Sequence, residues 1–192
     1  MLTMHKSNFP SSFFGGCFII RKFTDTDNTH RHADIAENGG KLPNCIFCNI
    51  SVDNGFDVEW ENDEFIVFAD YRPAAQYHFL VVPKTHIANV KTLQKEDASR
   101  VMRMVGIGHS ILDKYDVPST SRRLGFHIPP FYSVDHLHLH VQGLPYKSKL
   151  YQAKYHIATG SQSSNKGFSW FVEASQAIRI LEQGRQIGIL PC

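Results

Sequence analysis

The chain has 192 residues, 42% of them hydrophobic, and a formal net charge of +2. That length supports one proper core, and the near-neutral balance argues against a nucleic-acid surface built on bulk positive charge. No apolar run approaches the roughly 20 residues that cross a bilayer, and four cysteines (Cys17, Cys45, Cys48 and Cys192) do not make a disulfide framework in a chain this size.

Residues 1–24 contain no Asp or Glu and carry Lys6, Arg21 and Lys22. A mitochondrial presequence is richer in Arg and more amphipathic, so this stretch reads as a soluble tail and the expected location is the cytoplasm and nucleus. Residues 25–41 are polar and contain glycine, as a linker does. Residues 1–42 are therefore expected to be a flexible extension, residues 43–146 the core domain, and residues 147–192 a C-terminal extension packing on the core or on a second subunit.

Within the core, residues 58–61, Asn62-Asp63-Glu64 and residues 65–68 read as strand, turn, strand. Residues 76–82 form a further strand, rich in aromatic and β-branched residues and stopped by Pro83. Residues 95–115 carry Val101, Met104, Val105, Gly108, Ile111, Leu112 and Tyr115 at helical spacing, the mark of a core-facing helix. Gly106 and Gly108 lower its intrinsic propensity but permit close packing. Residues 122–128 and 136–142 read as two more strands. The sum is an α+β domain, an antiparallel sheet of about five strands with one long helix. Beyond it, residues 160–167 read as a loop, and residues 170–183 as a helix capped by Gly184. Lys147, Lys149, Lys154 and Lys166 read as a solvated, mildly basic face.

The strongest chemical signal is His136-Leu137-His138-Leu139-His140-Val141. In a strand, side chains at i, i+2 and i+4 share a face, so three imidazoles line one side and Leu137, Leu139 and Val141 the other. One reading is a metal site, since His-x-His can present two nitrogens to one zinc. The other is nucleophilic catalysis by a central imidazole flanked by helpers. Same-face neighbours stand roughly 6.5–7 Å apart along a strand, which suits a central ring with two helpers and suits three ligands on one ion less well, but spacing alone does not decide between the readings.

The segment resembles the His-φ-His-φ-His-φ-φ signature (φ apolar) of the histidine-triad nucleotide hydrolases and transferases. Other segments follow in that family's order: Cys45-Ile46-Phe47-Cys48-Asn49-Ile50, Phe65-Ile66-Val67-Phe68-Ala69-Asp70, and His78-Phe79-Leu80-Val81-Val82-Pro83-Lys84-Thr85-His86-Ile87. Arg123-Leu124-Gly125-Phe126-His127-Ile128-Pro129-Pro130-Phe131 leads into the triad as in the Hint-type branch called histidine triad nucleotide-binding protein 3. The resemblance covers about half the chain. Two positions depart from the pattern. Gln142 takes the last apolar place, on the imidazole face by period two and at a strand end where solvent can hold it. Pro129-Pro130-Phe131 replaces a Gly-rich loop, and prolines offer no amide donors to a phosphate.

The resemblance implies an adenosine 5'-monophosphoramidase-like hydrolase that cleaves a P–N bond to AMP and an amine. It implies His138 as the nucleophile that forms an adenylyl-histidine, with its other ring nitrogen bonded to a backbone carbonyl. His140 is expected at the phosphate and at proton delivery, with His136 and His78 completing a polar wall. Packed imidazoles depress one another's pKa, so neutral rings are expected. Asp70 is expected to accept the ribose hydroxyls, with Tyr71 beside it. Ile46, Phe47, Ile50 and Phe68 are expected to form the base slot, and Ser133 to contact phosphate. The resemblance also implies a two-fold homodimer and, as in some bacterial relatives, a structural zinc on Cys45, Cys48, His86 and His136; catalysis itself requires no cofactor. The rival readings are an aprataxin-like DNA-adenylate hydrolase, a weaker dinucleoside polyphosphate hydrolase, a metal-dependent hydrolase, and a nucleotide-binding signalling scaffold that uses the two extensions.

Overall fold

The computed structural model describes residues 40–192, and the expectations for the N-terminal tail and linker fall almost wholly outside them. Eight strands and three α-helices run in the order β1 (Val58–Glu61), β2 (Phe65–Ala69), β3 (Ala75–Pro83), α1 (Ala98–Lys114), β4 (Arg122–His127), β5 (Leu139–Tyr146), α2 (Lys149–Lys154), β6 (Thr159–Ser161), β7 (Ser164–Lys166), β8 (Phe171–Glu173) and α3 (Ala174–Glu182). Six strands form one antiparallel sheet in the order β1-β2-β3-β5-β4-β8. The class is α+β as expected, with one more strand than the sequence suggested.

The β1–β2 turn closes because the Asn62 side chain accepts from the amides of Glu64 and Phe65 (3.0 and 2.7 Å), the local bonding that makes Asn a turn residue. Helix α1 follows a single 3-10 turn at Lys95–Asp97 and buries Val101, Met104, Gly108, Ile111 and Leu112 against the sheet. A Cβ at Gly108 would lie 2.7 Å from Val141 Cγ2, so only glycine lets the helix sit this low.

Four expectations are corrected. The 136–142 strand starts only at Leu139. The ladder from β3 ends at the Val81–Leu139 pair. The next β3 position of that phase is Pro83, which has no amide hydrogen to give. Leu137 N donates instead to the Ile87 carbonyl (2.6 Å). Leu137, Leu139 and Val141 still enter the core beneath α1. The expected 160–167 loop is instead a small hairpin of β6 and β7. Lys166, at its end, is fully buried and not solvated; its ammonium donates to the carbonyls of Gly167 and Ile189 (2.8 and 3.0 Å). The expected 170–183 helix begins only at Ala174, behind a Glu173/Gln176 capping box. The residues before it form β8, which pairs along β4. Gly184 closes the helix at φ +67°, with its amide on the Leu181 carbonyl.

Candidate active site

The site lies on the sheet face opposite α1, where β3, β5 and β4 run side by side. Antiparallel register sets His78 against Gln142, Leu80 against His140, and Gly125 against His140. Residues far apart in sequence thus deliver four imidazoles to one patch, those of His78, His127, His138 and His140.

His138 Nδ1 is 2.6 Å from the carbonyl oxygen of His136. A carbonyl only accepts, so Nδ1 carries the hydrogen and Nε2 keeps the lone pair. Burial holds this ring's pKa below the usual histidine value, which leaves it neutral. A small pocket beside it is lined by Asn89, His127, Tyr132, Val134, His136 and His138, among others.

His140 is fully engaged. Its Nδ1 is 2.9 Å from His78 Nε2, and its Nε2 is 3.0 Å from His127 Nδ1. His127 Nε2 in turn meets the Lys154 carbonyl (3.2 Å), and His78 Nδ1 accepts the Ala74 amide (3.1 Å). Burial depresses all three rings, His78 to about 4 and His127 to about 3. The Tyr155 ring seals the group, with its centroid 4.9–5.6 Å from those of His127, His140 and His78.

Asp70 lies at the end of β2. Its Oδ1 accepts the Arg72 amide (2.8 Å) and its Oδ2 is 3.4 Å from His78 Nδ1. Of the expected base-slot residues, Phe47, Phe68 and Ile50 join one apolar cluster with Ile66, Leu80 and Val82, and the Phe47 ring stands edge-on to His138 at 5.4 Å. Ile46 is not drawn in; it is 57% exposed. Tyr71 projects into solvent under the Arg72 guanidinium (5.2 Å), and Ser133 is exposed on the loop before the triad. Gln142 is not at a solvated strand end. It is fully buried, its carboxamide lying between the His78 ring (3.4 Å) and the Tyr146 hydroxyl (3.2 Å).

A second group lies at the start of the triad. His136 Nδ1 is 3.3 Å from Cys45 Sγ and 3.5 Å from Cys48 Sγ, and His86 Nδ1 is 3.4 Å from Cys48 Sγ. All four donor atoms lie within 4.8 Å of one another. Tetrahedral zinc with ordinary Zn–S and Zn–N bonds spaces its donors about 3.5 Å apart, so the set fits that ion. His136 Nε2–H donates to the Pro83 carbonyl (2.9 Å), which turns the Nδ1 lone pair toward the sulfurs. Burial pushes the Cys48 thiol up to about 11, a cost that a bound cation reverses.

His127 was not among the site residues expected from the sequence. One imidazole in an apolar strand looks like a satisfied core residue. Only the β4–β5 pairing reveals its place beside the triad.

Comparison with known proteins gives the chain its relatives. Residues 44–156 match the family model described as scavenger mRNA decapping enzyme C-term binding. An Arabidopsis thaliana protein, bifunctional adenosine 5'-phosphosulfate phosphorylase/adenylylsulfatase HINT4, is 46% identical over 114 residues, 58% of this chain and 77% of its own. The Xenopus tropicalis adenosine 5'-monophosphoramidase HINT3 is 41% identical over 112 residues, 57% of this chain and 73% of its own. Among solved structures, a HIT family hydrolase from Clostridium thermocellum superposes with a TM-score of 0.50 at 28% identity, over 56% of this chain and 96% of that one. The chain belongs to the histidine-triad family, in its Hint-type branch.

Proposed function

We propose that the protein hydrolyses adenosine 5'-monophosphoramidates to AMP and an amine through an adenylyl group carried on His138. The observation that carries this reading is the 2.6 Å contact between His138 Nδ1 and the His136 carbonyl. It fixes one tautomer and leaves Nε2 as the nucleophile. The ring is neutral because it is buried, so no proton must leave before attack. Nε2 forms a bond to the α-phosphorus, the P–N bond breaks, and the departing nitrogen takes a proton from water. A second water then attacks phosphorus, returns the electron pair to Nε2 and releases AMP, and the proton it loses neutralises the hydroxide left by the first. Asp70 is the acceptor for the ribose hydroxyls, and Phe47, Phe68 and Ile50 hold the base by area and edge contacts, which select purines weakly. His140 supports the phosphate as part of the neutral wall. Its two ring nitrogens are already bonded, which speaks against a separate role for it as proton donor.

Brief mixing with an AMP-amide followed by mass spectrometry is expected to find one added AMP on the peptide containing His138. An adduct elsewhere, or turnover at the normal rate by His138→Ala, would sink the mechanism. A second reading concerns the leaving group. The Arabidopsis thaliana relative is named for adenylylsulfate chemistry, and the same attack on the α-phosphorus of an adenosine phosphosulfate would expel sulfate, which needs no proton. Parallel rates on the two substrates separate the readings.

Zinc on Cys45, Cys48, His86 and His136 is proposed as a structural ion that ties three chain segments together, and catalysis proceeds without it. A two-fold homodimer is likewise proposed, to be tested by sedimentation. Because β8 occupies the outer edge of β4, pairing of copies through β4 is closed to it.

A further inference from the structure

We propose that His127 is a positioning residue that sets the tautomers of the imidazole wall, and that the Lys154 carbonyl makes the C-terminal extension part of the active site. Two backbone groups terminate the hydrogen-bonded chain Lys154 O···His127···His140···His78···Ala74 N. At one end a backbone carbonyl can only accept, so His127 Nε2 carries a hydrogen (3.2 Å). His127 is neutral, so its Nδ1 accepts, and the hydrogen at 3.0 Å belongs to His140 Nε2. His140 Nδ1 then accepts, and the hydrogen at 2.9 Å belongs to His78 Nε2; the Gln142 carboxamide must then turn its oxygen to that N–H (3.4 Å) and its nitrogen to the Tyr146 hydroxyl (3.2 Å). His78 Nδ1 therefore carries a lone pair, which is what the Ala74 amide at the far end requires (3.1 Å).

Both ends thus impose the same direction on three rings. A ring with the other tautomer would set hydrogen against hydrogen at one contact and lone pair against lone pair at the next. The burial that depresses each ring removes the charged alternative. His138 stands outside the chain but touches it, its ring centroid 5.1 Å from that of His140. A wall with one hydrogen arrangement presents one fixed electrostatic face to the phosphoryl group beside His138. Removing His127 frees His140 to turn or exchange tautomer, while the His136 carbonyl still holds the nucleophile. The predicted loss is therefore in the chemical step and not in nucleotide binding.

The test uses the full chain. Nitrogen-15 NMR of histidine-labelled protein is expected to show His140 and His127 each with hydrogen on Nε2 alone. In His127→Phe the His140 pattern should become a mixture, and kcat on an AMP-amide should fall about 10–100-fold with KM little changed. His127→Gln restores one acceptor oxygen and one donor nitrogen, and should recover most of that loss together with the single His140 pattern. A wild-type His140 bearing hydrogen on Nδ1 overturns the proposal, and so does a His127→Phe that keeps its kcat. Equal losses in both variants, with thermal melts unchanged, also overturn it. The kinetic arm rests on the hydrolase reading, whereas the NMR arm does not, so even a chain without turnover on AMP-amides shows which nitrogen of each ring holds the hydrogen.

Discussion

Asp70 shows what one side chain can contribute to substrate choice. Its Oδ1 accepts the Arg72 amide, which holds the carboxylate at the end of β2, and its Oδ2 lies 3.4 Å from His78 Nδ1, which carries no hydrogen to give it. Lone pairs remain on both oxygens for a cis-diol. A hydrogen bond to a charged acceptor contributes about 1.5–3 kcal/mol, so Asp70→Asn is expected to raise KM for an AMP-amide roughly tenfold or more. It should also narrow the preference for ribo- over 2'-deoxyribonucleotide, with kcat little altered. Steady-state kinetics on both sugars checks this. An unchanged ratio would mean that the diol is held elsewhere. At this scale the sequence was unevenly legible. The alternation of three histidines with Leu137, Leu139 and Val141 exposes a shared face directly, because period two is written in the chain. The partnership of His78 with His140 is visible only through the family's segment order. His127 carries no signal of its own, since its meaning comes from cross-strand register.

At the scale of elements, β8 and the turn Ile46–Asn49 hold the site from opposite sides. Strand β8 can lie on β4 because Gly125 has no side chain. A Cβ there would stand 2.4 Å from the Val172 backbone oxygen and 2.5 Å from the Phe171 ring. Gly125→Ala must push β8 away, at a cost of about 2–3 kcal/mol by the usual scale of overpacking. The same shift disturbs His127, whose β8 partner is Phe171, so chemical denaturation and turnover should fall together. Unchanged stability would mean that the two backbones approach less closely than these distances state. On the other side, the Ile46–Asn49 turn has no side-chain cap and meets the triad through Cys45 and Cys48. With zinc bound at about a thousandfold over its dissociation constant the gain is about 4 kcal/mol. Stripping the ion should then lower the melting temperature by roughly 10 °C. Metal analysis near one zinc per chain and reversal by added zinc complete that test; zinc well below one per chain would mean that the four side chains hold no structural ion. The element boundaries were the part the sequence concealed. Nothing in residues 136–142 announces that Pro83, on another strand, ends the ladder, and a Ser-rich stretch at 160–167 gives no hydrophobic period from which to read a hairpin.

The whole molecule carries a buried cluster of neutral imidazoles, and that makes its stability depend on pH in a defined direction. His78 and His127 have pKa values near 4 and 3 in the folded chain, against 6.5 for an unperturbed histidine. Desolvation is the largest cause in each, and the hydrogen bonds agree with it. A proton on His78 Nδ1 would confront the Ala74 amide, and one on His127 Nδ1 would confront His140 Nε2–H. Above pH 6.5 neither state binds these protons, and the rings add no slope. Below 6.5 the unfolded chain takes up a proton on each of these two rings that the folded chain refuses, and the depressed His138 and His140 act in the same direction. The free energy of unfolding therefore falls as pH falls, by about 1.4 kcal/mol per unit for each ring once pH is well below 6.5. The loss continues until the folded values are reached. The carboxylates Glu59 and Glu64, held low chiefly by Lys114 and Arg103, add to the decline only nearer pH 4. Between pH 6.5 and 5 the imidazoles act alone. Urea unfolding across that window is expected to show stability dropping toward a limiting slope of at least two protons per molecule, and His127→Gln should remove about one of them. A flat profile from pH 7 to 5 would mean that these rings are charged or solvated in the folded protein, and the neutral wall beside His138 would go with them.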